Sequence, residues 1–201
     1  MKQSGIKVYL RFSLILFHCI KATLSTLFNL WLINSHENLY KLYMKIGIQT
    51  WGSNGDIRPM IALANGLQNA GHNVTLVVSS LDNRNYQAEC TEYNIPYRQI
   101  PEKIDSDLED FAQKSFKMNT AQWLTALLDS YFFPYEDAIY QASKQLVADN
   151  DLVIGHHFLY PLKIAAYKQN KPFYSVMFCH AVVHTASLPP FRFPNLGKRF
   201  N

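Results

Sequence analysis

The sequence predicts an α/β fold: a Rossmann-like parallel sheet with helices on both faces, preceded by an apolar helical leader. Three observations predict it. Short β-branched runs alternate with segments of helical period; the run Val74-Thr75-Leu76-Val77-Val78 is continuous, as in a strand covered on both faces; and proline and glycine punctuate the joins. With 201 residues, 48% hydrophobic and 17% charged, the chain has the length and composition of one globular domain rather than two.

The elements follow in order. Ile46–Thr50 reads as the first strand and Pro59–Asn69 as the first helix, with Pro59 in the first turn, where its missing N–H is harmless. Gly71 closes that helix at the position favouring a left-handed residue. After the second strand, Asn83–Tyr93 reads as helix and Pro96–Ile100 as the third strand. Residues 101–119 are acidic and irregular, a loop or a loosely packed helix. Thr120 to about Ala148 is helical and interrupted near Pro134. Leu152–Ile154 is a fourth strand, Leu159–Gln169 a helix and Phe173–Met177 a fifth strand. In a sheet of this kind ligands bind outside the carboxyl ends of the strands. The places to look are therefore residues 50–57, 155–160 and 178–190.

The net charge of +4 does not belong to this body. Residues 1–43 carry Lys2, Lys7, Arg11, Lys21 and Lys41 against Glu37 alone, and the remainder is neutral. A neutral body lacks the basic footprint of nucleic-acid binding. Within the leader, Arg11, His18, Lys21, Ser25 and Asn29 interrupt an apolar run from Val8 to Ile33 and share one stripe about 80° wide on a helix. That pattern suits an interfacial helix, because a central lysine costs about 2.5–3.5 kcal/mol in a true span. Two readings stay open: peripheral membrane contact through residues 8–33, or an upstream translation that the working protein lacks, with Met44 as its natural start. Cys19, Cys90 and Cys179 are too few and scattered for a disulfide framework, which favours a reducing, cytoplasmic setting.

The segment from Thr50 to Pro59, Thr-Trp-Gly-Ser-Asn-Gly-Asp-Ile-Arg-Pro, joins the first strand to the first helix. Its glycines permit a tight turn, and the following helix N-terminus favours an anion such as a phosphate. Asp56 stands at or just before that terminus, where a plain N-cap role competes with a chemical one. The pattern is not the G-x-G-x-x-G of dinucleotide folds, and no acid closes the second strand, which ends Val78-Ser79-Ser80. Both facts count against NAD or FAD.

Residues 44–59 resemble the opening of GT-B glycosyltransferases of the sterol and antibiotic type, which carry a strand, a Gly-Ser/Thr-Arg-Gly-Asp-x-x-Pro loop and a helix ending Ala-Gly-His-x-Val. Here the helix ends Ala70-Gly71-His72-Asn73-Val74, and His184–Pro190 through Pro194–Gly197 resembles the family's Pro-rich stretch. The resemblance spans about 44–201, and Asn54 replaces the usual arginine of the loop. It implies an acceptor-binding N-terminal domain over 44–201, with Asp56 as general base in an inverting hexosyl transfer. Gly52, Ser53 and Gly55 would lie near the departing diphosphate of a nucleotide-sugar such as a UDP-hexose, which is a substrate and not a cofactor. The family's His- and Gly-rich donor motif does not occur, so little turnover is expected from this segment alone. The acceptor would be a small molecule or lipid.

His156 and His157 follow the fourth strand, and His180 and His184 the fifth. The i, i+4 spacing of the last two lacks a strong helix, and the family needs no metal, so none is expected. Contact with acceptor or sugar is assigned to His156 and His180. In the aromatic-rich helical region, packing on the sheet accounts for most rings, and Trp123 and Phe132 are assigned to the acceptor wall. Two other functions compete: a non-catalytic, membrane-associated binding module, and a flavodoxin-like regulator, which explains the alternation but not the Gly-Asp-x-x-Pro loop.

Overall fold

The computed structural model describes residues 43–105 and 107–178. Five parallel strands form one sheet: β1 (Lys45–Gly52), β2 (Asn73–Ser80), β3 (Tyr97–Gln99), β4 (Leu152–His156) and β5 (Phe173–Val176), in the order β3-β2-β1-β4-β5. The helices are α1 (Asn54–Asn69), α2 (Gln87–Glu92), α3 (Leu108–Ser115), α4 (Thr120–Tyr131), α5 (Glu136–Asp149) and α6 (Tyr160–Lys168). The expected α/β alternation is present. The leader calls, at residues 1–42, lie outside the described residues. No described helix is long and apolar enough to cross a membrane.

Side-chain alternation along the strands divides the core. Ile46 and Ile48 of β1, with Val74, Leu76 and Val78 of β2, pack on one face against Ile57, Met60, Ile61 and Ala64 of α1, Tyr86 just before α2 and Cys90 within it. Trp51, Val77 and Val153 face the other way, onto α4, α5 and α6 through residues such as Tyr131, Leu146 and Leu162. A period of two along each strand therefore makes a three-layer sandwich. Gln49 is buried among this second set because its amide is satisfied: Ser143 Oγ donates to it at 2.8 Å and its Nε2 donates to the Ile139 carbonyl at 3.4 Å.

Several boundaries differ from those read off the sequence. Helix α1 starts at Asn54, five residues before Pro59. Ser53 is its N-cap, and Pro59 sits a turn inside, where its ring removes only the bond that the Gly55 carbonyl would have accepted. The other end is as expected: Gly71 is left-handed (φ 95°), its N–H donates to the Gln68 carbonyl at 2.8 Å, and the His72 N–H donates to that of Leu67 at 3.1 Å. The 83–93 helix shrinks to Gln87–Glu92 because Asn83, with φ 54°, is spent on a clamp. Its Nδ2 donates to the Ile104 carbonyl at 2.8 Å, and its Oδ1 accepts from the Ile104 N–H at 2.6 Å. The 101–119 stretch contains α3, capped by Asp107, whose carboxylate accepts from the N–H groups of Glu109 and Asp110. Pro134 sits in a 3-10 turn, Phe133–Tyr135, that separates α4 from α5.

Candidate functional site

Strand β1 is central. The chain steps through β2 and β3 on one side of it, then through β4 and β5 on the other. A crevice opens outside the carboxyl ends of strands at such a reversal, here between β1 and β4. Asp56, in the first turn of α1, and His156, the last residue of β4, meet across it, with His156 Nε2 3.7 Å from Asp56 Oδ1. The parallel register, Gln49 opposite Gly155, carries His156 to that position.

Asp56 is not the N-cap but reaches back to it. Its Oδ2 accepts from the Ser53 N–H at 3.0 Å and from the Ser53 hydroxyl at 3.4 Å. Gly52 makes room for this: it holds φ 146°, and a Cβ there would lie 2.6 Å from the Asp56 Cγ. The carboxylate stays about a third exposed (34%), whereas the His156 side chain is almost wholly buried (4%). Burial pushes the Asp56 carboxyl up, but the His156 imidazole and the two Ser53 donors together hold it below the usual carboxylate value. The group is an anion in the free domain at neutral pH.

His156 has a defined tautomer. Its Nδ1 accepts from the Phe158 N–H at 3.3 Å, which places the ring proton on Nε2, facing Asp56. At 3.7 Å this is longer than a made hydrogen bond, and it acts as a directed electrostatic contact. Phe158 and Phe178 stack on the imidazole at 5.7 and 5.4 Å between centroids, and Trp51 tilts against it at 6.4 Å. The rings fix its orientation.

The N–H groups of Asn54 and Gly55 open α1 and take no intrahelical partner. Asn54 has a local use of its own: its Oδ1 accepts from the Tyr86 hydroxyl at 3.4 Å. One strand further along the same edge, a cavity of about 630 Å³ lies over Leu81, Ile104 and Leu108, with Asp82, Asp105, Asp107 and Glu109 around it. The Leu81 N–H donates to the Gly52 carbonyl at 3.0 Å, which ties the cavity wall to the loop.

The structure redistributes the other residues singled out above. Ser53, the N-cap, is half-buried and Gly55, in the first turn of α1, is exposed, while Gly52 is buried beneath the Asp56 side chain. His156, expected to contact acceptor or sugar, is almost wholly buried, with its ring facing the Asp56 carboxylate. Phe132, expected in an acceptor wall, is fully buried with its ring against Trp51 (5.5 Å) and Tyr160 (5.3 Å). Two of the rings that meet Phe132, those of Phe133 and Tyr160, are exposed. Trp123 is partly exposed on α4 and shares no ring contact with Asp56 or His156. His180 lies outside the described residues. The Asp56–His156 pairing was not legible in the sequence, since it depends on the register between strands a hundred residues apart.

His157 makes the region sensitive to acid. Burial, and then the adjacent His156, push its imidazole down to about 4, partly opposed by Asp56. An unfolded histidine titrates near 6.5, so between pH 6.5 and 4 the unfolded chain binds the proton and the fold does not. Stability is full above pH 6.5 and falls as the pH drops towards 4, by about 1–2 kcal/mol once the partial exposure of the ring is allowed for. Urea melts at the two ends of that window should show the loss, and His157→Gln should flatten it. Asp56 adds its own loss only below its unfolded value, near pH 4.

Residues 46–150 match the glycosyltransferase family 28 N-terminal domain. A sterol 3-beta-glucosyltransferase of Kluyveromyces lactis is 32% identical over 95 residues, covering 43% of this chain and 8% of that protein. Among solved structures, the calicheamicin glycosyltransferase CalG4 is 18% identical with a TM-score of 0.47, over 66% of this chain and 32% of that one. The kitacinnamycin glycotransferase is 17% identical with a TM-score of 0.45, over 66% and 30%. The chain thus spans a small part of the length of these relatives. Matched to the family over more than half of its residues, with the Gly-Asp loop at the switch point of a parallel sheet, the chain belongs to glycosyltransferase family 28 through its N-terminal domain.

Proposed function

We propose that residues 44–201 form the acceptor-side domain of an inverting glycosyltransferase, which moves a hexose from a nucleotide-sugar such as a UDP-hexose to a hydroxyl of a lipid, sterol or natural product. The observation that carries this reading is the one-third-exposed Asp56 carboxylate at the β1–β4 switch point, with a buried imidazole facing it and free helix N–H groups in the same turn. The likeness to a sterol glucosyltransferase supports a sterol among the acceptors to be tried first.

In this mechanism the acceptor oxygen attacks the anomeric carbon from the face opposite the leaving group. The bond from that carbon to the diphosphate oxygen breaks, and its electron pair departs with the diphosphate. Asp56 takes the hydroxyl proton, and His156 Nε2–H steadies the carboxylate while it waits. The N–H groups of Asn54 and Gly55, with Ser53, favour the charge that collects on the departing diphosphate. A second domain supplies the main grip on the nucleotide. No metal or cofactor enters; the nucleotide-sugar is consumed as substrate.

The test joins this domain to a donor-binding half and follows transfer from UDP-glucose to a sterol. The product anomer, read by NMR, should be opposite to that of the donor, and a retained configuration would overturn the mechanism. His156→Phe keeps the ring stack and removes the N–H. It should cost about tenfold in kcat/KM, as expected for losing one hydrogen-bond donor to a charge.

A further inference from the structure

Helix α6 buries Pro161, Leu162, Ala165 and Ala166 against the sheet and α5. Its outer face is not the polar surface that such a helix ordinarily shows. Tyr160, Ile164 and Tyr167, at i, i+4 and i+7, are 40%, 42% and 86% exposed and form one stripe about 11 Å long. Lys163 and Lys168 flank it on the same face. The edge of α5 adds Lys144, joined through Tyr140: the Lys144 and Lys168 ammonium groups lie 5.9 and 5.6 Å from that ring, and Lys168 Nζ donates to its hydroxyl at 3.2 Å.

None of these three lysines forms an ion pair among the described residues, whose pairs involve Arg58, Arg84, Lys114 and His156. Glu136, at one end of the stripe, accepts a 2.5 Å hydrogen bond from the Tyr160 hydroxyl. The face therefore combines exposed tyrosine and isoleucine with three lysines against the single carboxylate of Glu136, a net positive charge.

We propose that this face of α6 and the adjoining edge of α5 dock the protein on a bilayer containing anionic lipid. Charge complementarity selects the anionic surface, and the residue types fit it further. Tyrosine rings settle at headgroup depth, and lysine stems lie along apolar surface while their ammonium groups reach lipid phosphates. The stripe is a single convex helix face, without the broad dry centre of a stable protein interface. It also starts beside the candidate site, since Tyr160 packs on Phe132 and Phe132 on Trp51, whose ring meets His156. A bilayer held here would bring lipid hydroxyls close to the crevice. The docking does not depend on the transfer chemistry.

The experiment is co-sedimentation of the full chain with phosphatidylcholine vesicles, with and without phosphatidylserine. Wild type should bind the phosphatidylserine vesicles and be released by salt. Lys163→Gln and Lys168→Gln should each weaken partitioning about fivefold, the value of one basic side chain at an anionic surface. The double variant Ile164→Ser/Tyr167→Ser should weaken it at every salt concentration, and Lys117→Gln, outside this face, should leave it unchanged. Circular dichroism melts confirm that each variant folds. The proposal is overturned if wild type ignores the phosphatidylserine vesicles, if both vesicle types capture it equally, or if the α6 variants sediment like wild type, which would assign binding to another surface. Loss of glycosyl transfer with vesicle binding intact would overturn the functional reading and leave this one standing.

Discussion

Replacing Asp56 by asparagine in the enzyme completed with a donor-binding half is expected to lower kcat by roughly 100- to 10,000-fold, the usual worth of a positioned general base. The choice of asparagine matters. Its side-chain oxygen still accepts from the Ser53 N–H, so the reach-back that starts α1 survives and only the charge and basicity go. Lost attraction between that charge and the helix N-terminus lowers stability by about 0.3–1 kcal/mol, far too little to account for such a fall in rate. KM for the donor should change little, since the group acts on the acceptor proton. A variant that keeps a third or more of the wild-type rate would reduce Asp56 to a helix cap. The pH profile gives a second check. Because His156 and Ser53 hold the carboxyl below its ordinary value against the pull of burial, the acid limb of kcat/KM due to this group should lie below about pH 4. Bound acceptor removes the remaining water and should move the corresponding limb of kcat upward.

The second large effect is at Gly52. With φ at 146° the position is strained for any side chain, and an alanine Cβ would stand 2.6 Å from Cγ and 2.7 Å from Cβ of Asp56. Something must move, and the β1 backbone is held: the Gly52 carbonyl accepts from Leu81, and the strand is paired with β2 up to Gly52 itself. The carboxylate yields instead. Gly52→Ala is therefore expected to lose about 2–4 kcal/mol of stability, visible as a lower urea midpoint at an unchanged m-value. It should also lose at least tenfold in transfer, since a shift of about 1 Å in a reacting group costs that much or more. Adding alanine at Gly55, where a Cβ would have nothing closer than the Ser53 hydroxyl at 4.0 Å, should do far less. If the two variants behave alike, the packing account of Gly52 is wrong.

These two positions show how the sequence and the fold divide the information. That Gly52 and Asp56 belong to a loop at the head of a strand was readable directly, because a β-branched run, two glycines and a helical period lie within a few residues of one another. The sheet was equally readable, since continuous apolar runs such as Val74–Val78 admit little besides a strand covered on both faces. The start of α1 was misjudged because Pro59 is such a strong local marker. Ser53 and the Asp56 reach-back outweighed it, and a proline one turn inside a helix sacrifices only one bond near an open end. Likewise Asn83 lost its place in α2 to a clamp on Ile104 that no local rule contains.

By itself the amino-acid order determined the α/β class, the strand–loop–helix unit that carries Asp56, and the family resemblance, because each is written in neighbouring residues or in short periods. The tertiary structure alone decided that His156 stands behind the carboxylate, that Phe132 is interior, and that the outer face of α6 is left with tyrosines and unpaired lysines. Those outcomes depend on the register of β4 beside β1 and on which side of each helix meets the sheet. Such relations join residues far apart in the chain, and they are set by the burial of the whole apolar surface, which no local stretch of sequence expresses.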